Sequence, residues 1–316
     1  MKLNFIYSFI IGLGTIGALS SCQDQGSSTA DAETATSTEA SADASQGSDG
    51  SADTDIAPAA GGGAREWPTW GRDGSRNMVG NAVNLPVEVN PGEMDDETEE
   101  IDLSGAKNIR WVAKLGSQSY GTTSVAFGKV FAGTNNESPR DKRNVVDRGN
   151  LMCFDEKSGE FLWQLVSPKL GARKVSDWEY VGLCSSPAVE EDRLWVVTNR
   201  GEVVCLDMNG LADGNDGPFQ DEQKYYGAGL SGIAKARDVT VDGETRTLSD
   251  ANATLVESLT KQIEGGLEGD ALKGAIGRRK GAFAEGAPKI DETYADILWV
   301  FDMRDADNGV GAFPHN

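Results

Sequence analysis

The side chains able to do chemistry are few, and their spacing does not suit catalysis. His315 is the only histidine in the 316-residue chain, so no Ser-His-Asp set can be assembled and a zinc centre built on imidazoles is excluded. The four cysteines, Cys22, Cys153, Cys184 and Cys205, contain no C-x-x-C pair. No P-loop or dinucleotide-binding glycine pattern occurs. Cys153 stands two residues before Asp155, a pairing that could mark a reactive thiol. The stretch DMNGLADGNDGPFQDE, residues 207–222, is rich in oxygen ligands, and Asp213, Asn215 and Asp216 are its candidates for calcium. Gly217 falls one residue early for the D-x-[DN]-x-[DN]-G loop, and the same composition also makes an ordinary Asn/Asp/Gly turn. Arg140, Lys142, Arg143 and Arg148 form a cationic island on an acidic chain, suited to an anionic ligand, the acidic tether or solvent. None of these residues takes a catalytic role.

Charge and the N-terminus set the compartment. The net charge is -21, with a dense acidic run, EMDDETEEID, at residues 93–102. Such a surface repels nucleic acid and anionic lipid headgroups, so no nucleic-acid partner is expected. Residues 1–22 carry Lys2, an apolar run from Phe5 to Leu19 and small residues leading to Cys22, the pattern of a bacterial secretory signal. LSSC resembles the lipobox of bacterial lipoproteins, which implies lipidation of Cys22 and a chain exported and held at the periplasmic face of a membrane. Gln23 follows the cysteine, which favours the outer membrane. Residues 23–64 lack aromatic and basic side chains and read as a flexible tether. In an exported chain two of Cys153, Cys184 and Cys205 could pair, or all three could be buried as small hydrophobes.

The folded part, residues 65–316, opens on REWPTWGRDGSRN and alternates short β-rich runs with Gly, Asn and Asp turns. A repeat runs through it. NLMCFDE overlays EVVCLDM at an offset of 52 residues, and the same offset carries Trp111 onto Trp163. GKVFAGTNN and DRLWVVTNR also correspond, at 64, which places a 12-residue insertion, NESPRDKRNVVD, between two strands of the first copy. Each copy reads as four antiparallel strands, a propeller blade rather than a sandwich sheet. The second copy lacks a Trp strand directly after CLDMNG. ADILWVFDM supplies one, with Trp299 in the role of Trp163, although LWVFDM also aligns with VVCLDM through Asp302 and Asp207. The intervening residues, about 223–290, are then an insertion. Leu255, Leu259, Ile263 and Leu267 predict two amphipathic helices broken near Gly265 and Gly266, with Ser249 or Asp250 as N-cap.

Gly128, Val130, Thr134, Gly149, Phe154, Asp155, Ser158, Gly159 and Trp163 carry a pattern that resembles pyrroloquinoline-quinone-like propeller repeats. Thr198, Gly201, Leu206 and Asp207 repeat part of it. The resemblance covers residues 65–217 and implies an all-β partial propeller: about two blades and a closing strand at Trp111, with a small helical insertion. Propellers need about four to eight blades, so the chain is expected to be truncated, or part of an assembly, with raw sheet edges. Quinone-dependent members of that superfamily hold pyrroloquinoline quinone and calcium. Trp67, Trp70, Trp111 and Trp163 read instead as blade-packing residues. The expectation is therefore a membrane-anchored, extracytoplasmic scaffold that binds a protein or ligand. The alternative is a quinoprotein alcohol or sugar oxidoreductase whose catalytic residues lie in further blades.

Overall fold

A computed structural model describes residues 9–13, 66–80, 84–98, 100–170, 177–229 and 232–308. Cys22 and, apart from residues 9–13, the segments read from sequence as a signal and a tether lie outside the described residues. β1 (Phe9–Leu13) pairs antiparallel with β4 (Ile109–Lys114). The acidic run folds into a small hairpin of β2 (Glu93–Met94) and β3 (Ile101–Asp102), its turn held by Asp95 Oδ1, which accepts from the Glu97 and Thr98 amides.

Two four-stranded antiparallel sheets follow. The first has the order β5 (Ser124–Ala126), β6 (Lys129–Asn135), β7 (Arg148–Asp155), β8 (Phe161–Pro168). The second has β9 (Ala188–Glu190), β10 (Arg193–Val197), β11 (Glu202–Asp207), then β14 (Ile297–Asp302), which is reached only after a long excursion. This is a mostly β chain arranged as a partial β-propeller of two blades. The expected 12-residue insertion occupies the β6–β7 connection, residues 136–147.

The register settles which role Trp299 plays. Cys153 faces Trp163 across β7 and β8, with a bulge at Cys153/Phe154. Cys205 faces Trp299 across β11 and β14, with a bulge at Cys205/Leu206. Trp299 therefore stands where Trp163 stands, and the competing alignment through Asp302 and Asp207 is wrong.

The blades interlock through their tryptophans. The Trp163 indole N–H donates to the Met208 carbonyl at 3.1 Å, and the Trp111 indole N–H donates to the Glu156 carbonyl at 2.8 Å. Both acceptors are one residue past the repeated aspartate, whose carboxylate orders the turn. Asp155 Oδ1 accepts from the Lys157 and Ser158 amides, and Asp207 Oδ1 from the Asn209 amide. Those backbone bonds, Ser158 first, hold the Asp155 carboxyl below its ordinary range. Each turn also carries a left-handed glycine flush against the indole, Gly159 (φ 75°) on Trp111 and Gly210 (φ 62°) on Trp163. A side chain at Gly210 would place its Cβ 2.8 Å from the Trp163 ring, so only glycine lets the turn close on the tryptophan.

The lead-in segment ties the blades together at their inner strands. Trp67 exchanges backbone bonds with Val125 on β5, and the Pro68 carbonyl accepts from Val189 on β9. The insertion begins with α1 (Glu222–Gly227), a hairpin of β12 (Arg237–Val241) and β13 (Glu244–Leu248), then α2 (Asp250–Glu264) and α3 (Gly269–Ala284). Ser249 caps α2, its hydroxyl accepting from the Asn252 amide at 3.4 Å. The break falls at Gly265 and Gly266 as the sequence predicts. The buried stripe of α2 is Ala253, Val256 and Leu259, packed on the hairpin, whereas Leu255 is exposed. Leu255 lies about 100° around the helix from Val256, the centre of that stripe, and so falls outside it although it is only one turn from Leu259. The chain returns alongside β8, where Gln164 exchanges backbone bonds with Thr293 and Ala295, and this delivers β14 to the second blade.

Candidate functional site

Two rows of side chains cross the second blade on the face turned away from the first. One row is Trp195, Cys205 and Trp299, and the next is Val197, Val203 and Phe301. Their counterparts in the first blade are Phe131, Cys153 and Trp163, then Gly133, Leu151 and Leu165. In the first blade the large members of these rows are at most 1% exposed, because the second blade covers them. In the second blade Trp299 is 40%, Val197 39% and Phe301 36% exposed. The outer face thus repeats a buried interface and presents it uncovered, a contiguous apolar strip of the kind that marks interaction surfaces. Cys205 lies buried between Trp195 and Trp299, and burial pushes its thiol up. Cys153 is buried likewise and its thiol is raised further by the same cause. The three described cysteines are free, Cys184 being exposed, and the Cys153–Asp155 pairing builds the blade turn, with the thiol held protonated and inert.

The other sequence candidates separate. Asp213, Asn215 and Asp216 are exposed. Asp213 accepts from Asn209 Nδ2 at 2.9 Å, and Asn215 donates to Glu222 at 2.6 Å and accepts from Gln220 at 2.7 Å. Among the described residues no group of three Asp, Glu, His or Cys side chains can hold a metal ion. The cationic island is not an island in the fold. Arg148 is buried and donates to Asn144, the Tyr226 carbonyl and the Glu285 carbonyl, while burial lowers its guanidinium to about 10. Arg140 lies over the rings of Phe154 and Phe161, and Arg143 pairs with Asp141 and Asp291. The inserted loop directs Arg148 inward and holds Arg140 and Arg143 against rings and carboxylates at the surface, where Lys142 is exposed beside them. Trp111 and Trp163 pack between strands as expected, and Trp67 is half-buried. Trp70, expected to pack in a blade, is instead 52% exposed with Arg76 over its ring.

Two charged clusters carry no local sequence signal. Arg200 and Glu202 flank the β10–β11 turn, and β14 brings Asp302 and Arg304 to them from about 100 residues away. Asp296 and Glu222 are buried side by side in the second blade's floor. Burial, then the Glu222, Asp207 and Asp216 carboxylates, pushes Asp296 up to about 6, and burial raises Glu222 as well.

Two antiparallel blades, a tryptophan lock repeated at the 52-residue offset and an exposed apolar outer face define a partial propeller. Among solved structures, BamB from Moraxella catarrhalis matches 45% of this chain at 17% identity and a TM-score of 0.22. The chain spans 38% of that structure's length, and the propeller assignment rests on the repeated register instead of that superposition. No protein-family model and no curated protein matches the sequence.

Proposed function

We propose that this chain is a membrane-anchored, extracytoplasmic propeller scaffold that binds a protein through the outer face of its second blade. The observation that carries this reading is the exposed strip of Trp299, Phe301 and Val197, whose first-blade equivalents are buried under a second sheet. The partner it fits is another sheet face with a glycine turn open to the Trp299 indole. Anchoring rests on the lipobox-like ending at Cys22, and among the described residues no helix is long and apolar enough to cross a membrane.

A photo-crosslinker at Val197 in the full-length chain is expected to trap one discrete protein species in cells. Trp299→Glu with Phe301→Glu should abolish that species while leaving the unfolding midpoint close to wild type, since both side chains are partly in solvent. Cys22→Ser should move the protein from the membrane to the soluble fraction. A crosslink unaffected by the two glutamates would refute the binding face, and membrane retention of the Cys22→Ser protein would refute the anchor.

A further inference from the structure

β4 stands to the first blade as β8 stands to the second, because the Trp111 and Trp163 indoles close on equivalent turns. That lock holds β4 in place, with Trp111 and Ala113 buried against Val130, Met152 and Phe154. Among the described residues the only sheet partner of β4 is β1, and β1 is seated where the third strand of a blade belongs. In the first blade Cys153 is opposite Trp163, a bulge follows, and Phe154 is opposite Phe161, two residues before the tryptophan. In the second, Cys205 is opposite Trp299, the bulge follows, and Leu206 is opposite Ile297. In the β1–β4 pair Gly12 is opposite Trp111, the bulge follows, and Leu13 is opposite Ile109. A slip of one residue reverses the faces of a strand, so a shared register with a shared bulge is a specific match.

The three strands also share a residue pattern. LMCF of β7, VVCL of β11 and IIGL of β1 each place two apolar residues before a small residue opposite the tryptophan, and one apolar residue past the bulge. Residues 9–13 lie in the run that reads as a secretory signal, and its removal leaves β4 with a row of unpaired backbone donors and acceptors. A second folded copy cannot fill that edge with β7 or β11, since each is already flanked by strands on both sides. We propose that the β4 edge is a strand-docking site for an extended segment of another polypeptide carrying this apolar-apolar-small-apolar pattern, and that Phe9–Leu13 fills it in the unprocessed chain. Backbone pairing supplies the affinity, and the residue opposite Trp111 supplies the selectivity. The site is distinct from the Trp299 face and rests on the export reading only for what vacates it.

The test follows amide hydrogen exchange at residues 109–114 in the full-length chain, where wild-type β4 should exchange slowly. Ile10→Pro with Gly12→Pro removes amide donors from β1, leaves the Trp111 lock untouched, and should speed β4 exchange about tenfold or more. A peptide of residues 200–208, RGEVVCLDM, made with Cys205→Gly to remove its thiol, should restore slow exchange to that variant in a saturable way. The same peptide with Cys205→Trp, or in scrambled order, should not. Adding Trp299→Glu and Phe301→Glu should leave the peptide effect unchanged, and membrane retention of the Cys22→Ser protein, which refutes the anchor, does not alter these outcomes. Fast β4 exchange in the wild type, no protection by the peptide, or equal protection by the scrambled one would each overturn the proposal. Wild-type protection that rises with protein concentration would overturn it in favour of a second copy as the strand donor.

Discussion

Trp163→Ala is expected to cost about 3–5 kcal/mol of stability, the range for removing a large aromatic from a packed core, while Trp299→Ala costs about 1 kcal/mol or less. The two residues occupy the same place in the repeat, opposite Cys153 and Cys205 respectively and before identical bulges. Their surroundings differ. Trp163 is 1% exposed, its ring sits 5.9 Å from Phe131, and its N–H is satisfied by the Met208 carbonyl. Removing it leaves that carbonyl without its donor and opens a void between the blades that Gly210 has no side chain to fill. Among the described residues no glycine turn closes over Trp299, which is 40% exposed. Urea unfolding followed by circular dichroism reads the difference as a shift in midpoint at constant slope. Equal losses for the two variants would mean that Trp299 is also locked, and the uncovered face would then not exist as described.

The part of this architecture that repeats was legible in the sequence, because a blade is built from short strands whose residues recur at a fixed offset. The equivalence of Trp299 with Trp163, the 12-residue insertion between β6 and β7, and a helix cap at Ser249 or Asp250, which the structure places at Ser249, all follow from spacing and local chemistry. The β12–β13 hairpin also had a signal, since Asp242-Gly243 lies at its turn with both residues at positive φ, but the amphipathic helices beside it dominated the reading of residues 223–290. What the sequence did not disclose depends on distant neighbours. Arg148 looks like a loop cation until the insertion returns carbonyls to it from Tyr226 and Glu285. Arg200, Glu202 and Arg304 become a cluster only when β14 pairs with β11. Asp296 sits at the start of a strand, a place where an aspartate is ordinarily solvated, and only the packing of α1 and the preceding loop makes it a buried charge.

That buried charge gives the second large effect, and its sign is fixed by the direction of the shift. Asp296 is fully buried, its carboxylate meets only the Asp216 backbone in a contact too weak to offset burial, and Glu222 beside it has one unpartnered oxygen. The folded protein therefore holds the Asp296 proton up to about 6, above the ordinary value of 3.8. Between these values the native state binds more protons than the unfolded state, so stability falls as pH rises through that window, and the full penalty applies above it. Asp296→Asn removes the penalty and supplies an N–H₂ donor in a neighbourhood of acceptors that lack one. The variant should be more stable than wild type by roughly 2 kcal/mol at pH 7.5, and the advantage should shrink steadily as pH falls below about 6 and be nearly gone toward pH 3, where the aspartic acid is neutral in both states. Unfolding midpoints measured across pH 3 to 8 test this directly. Parallel curves for the two proteins, or a variant less stable at pH 7.5, would show that the Asp296 carboxylate has a partner at neutral pH that the fold described above does not provide.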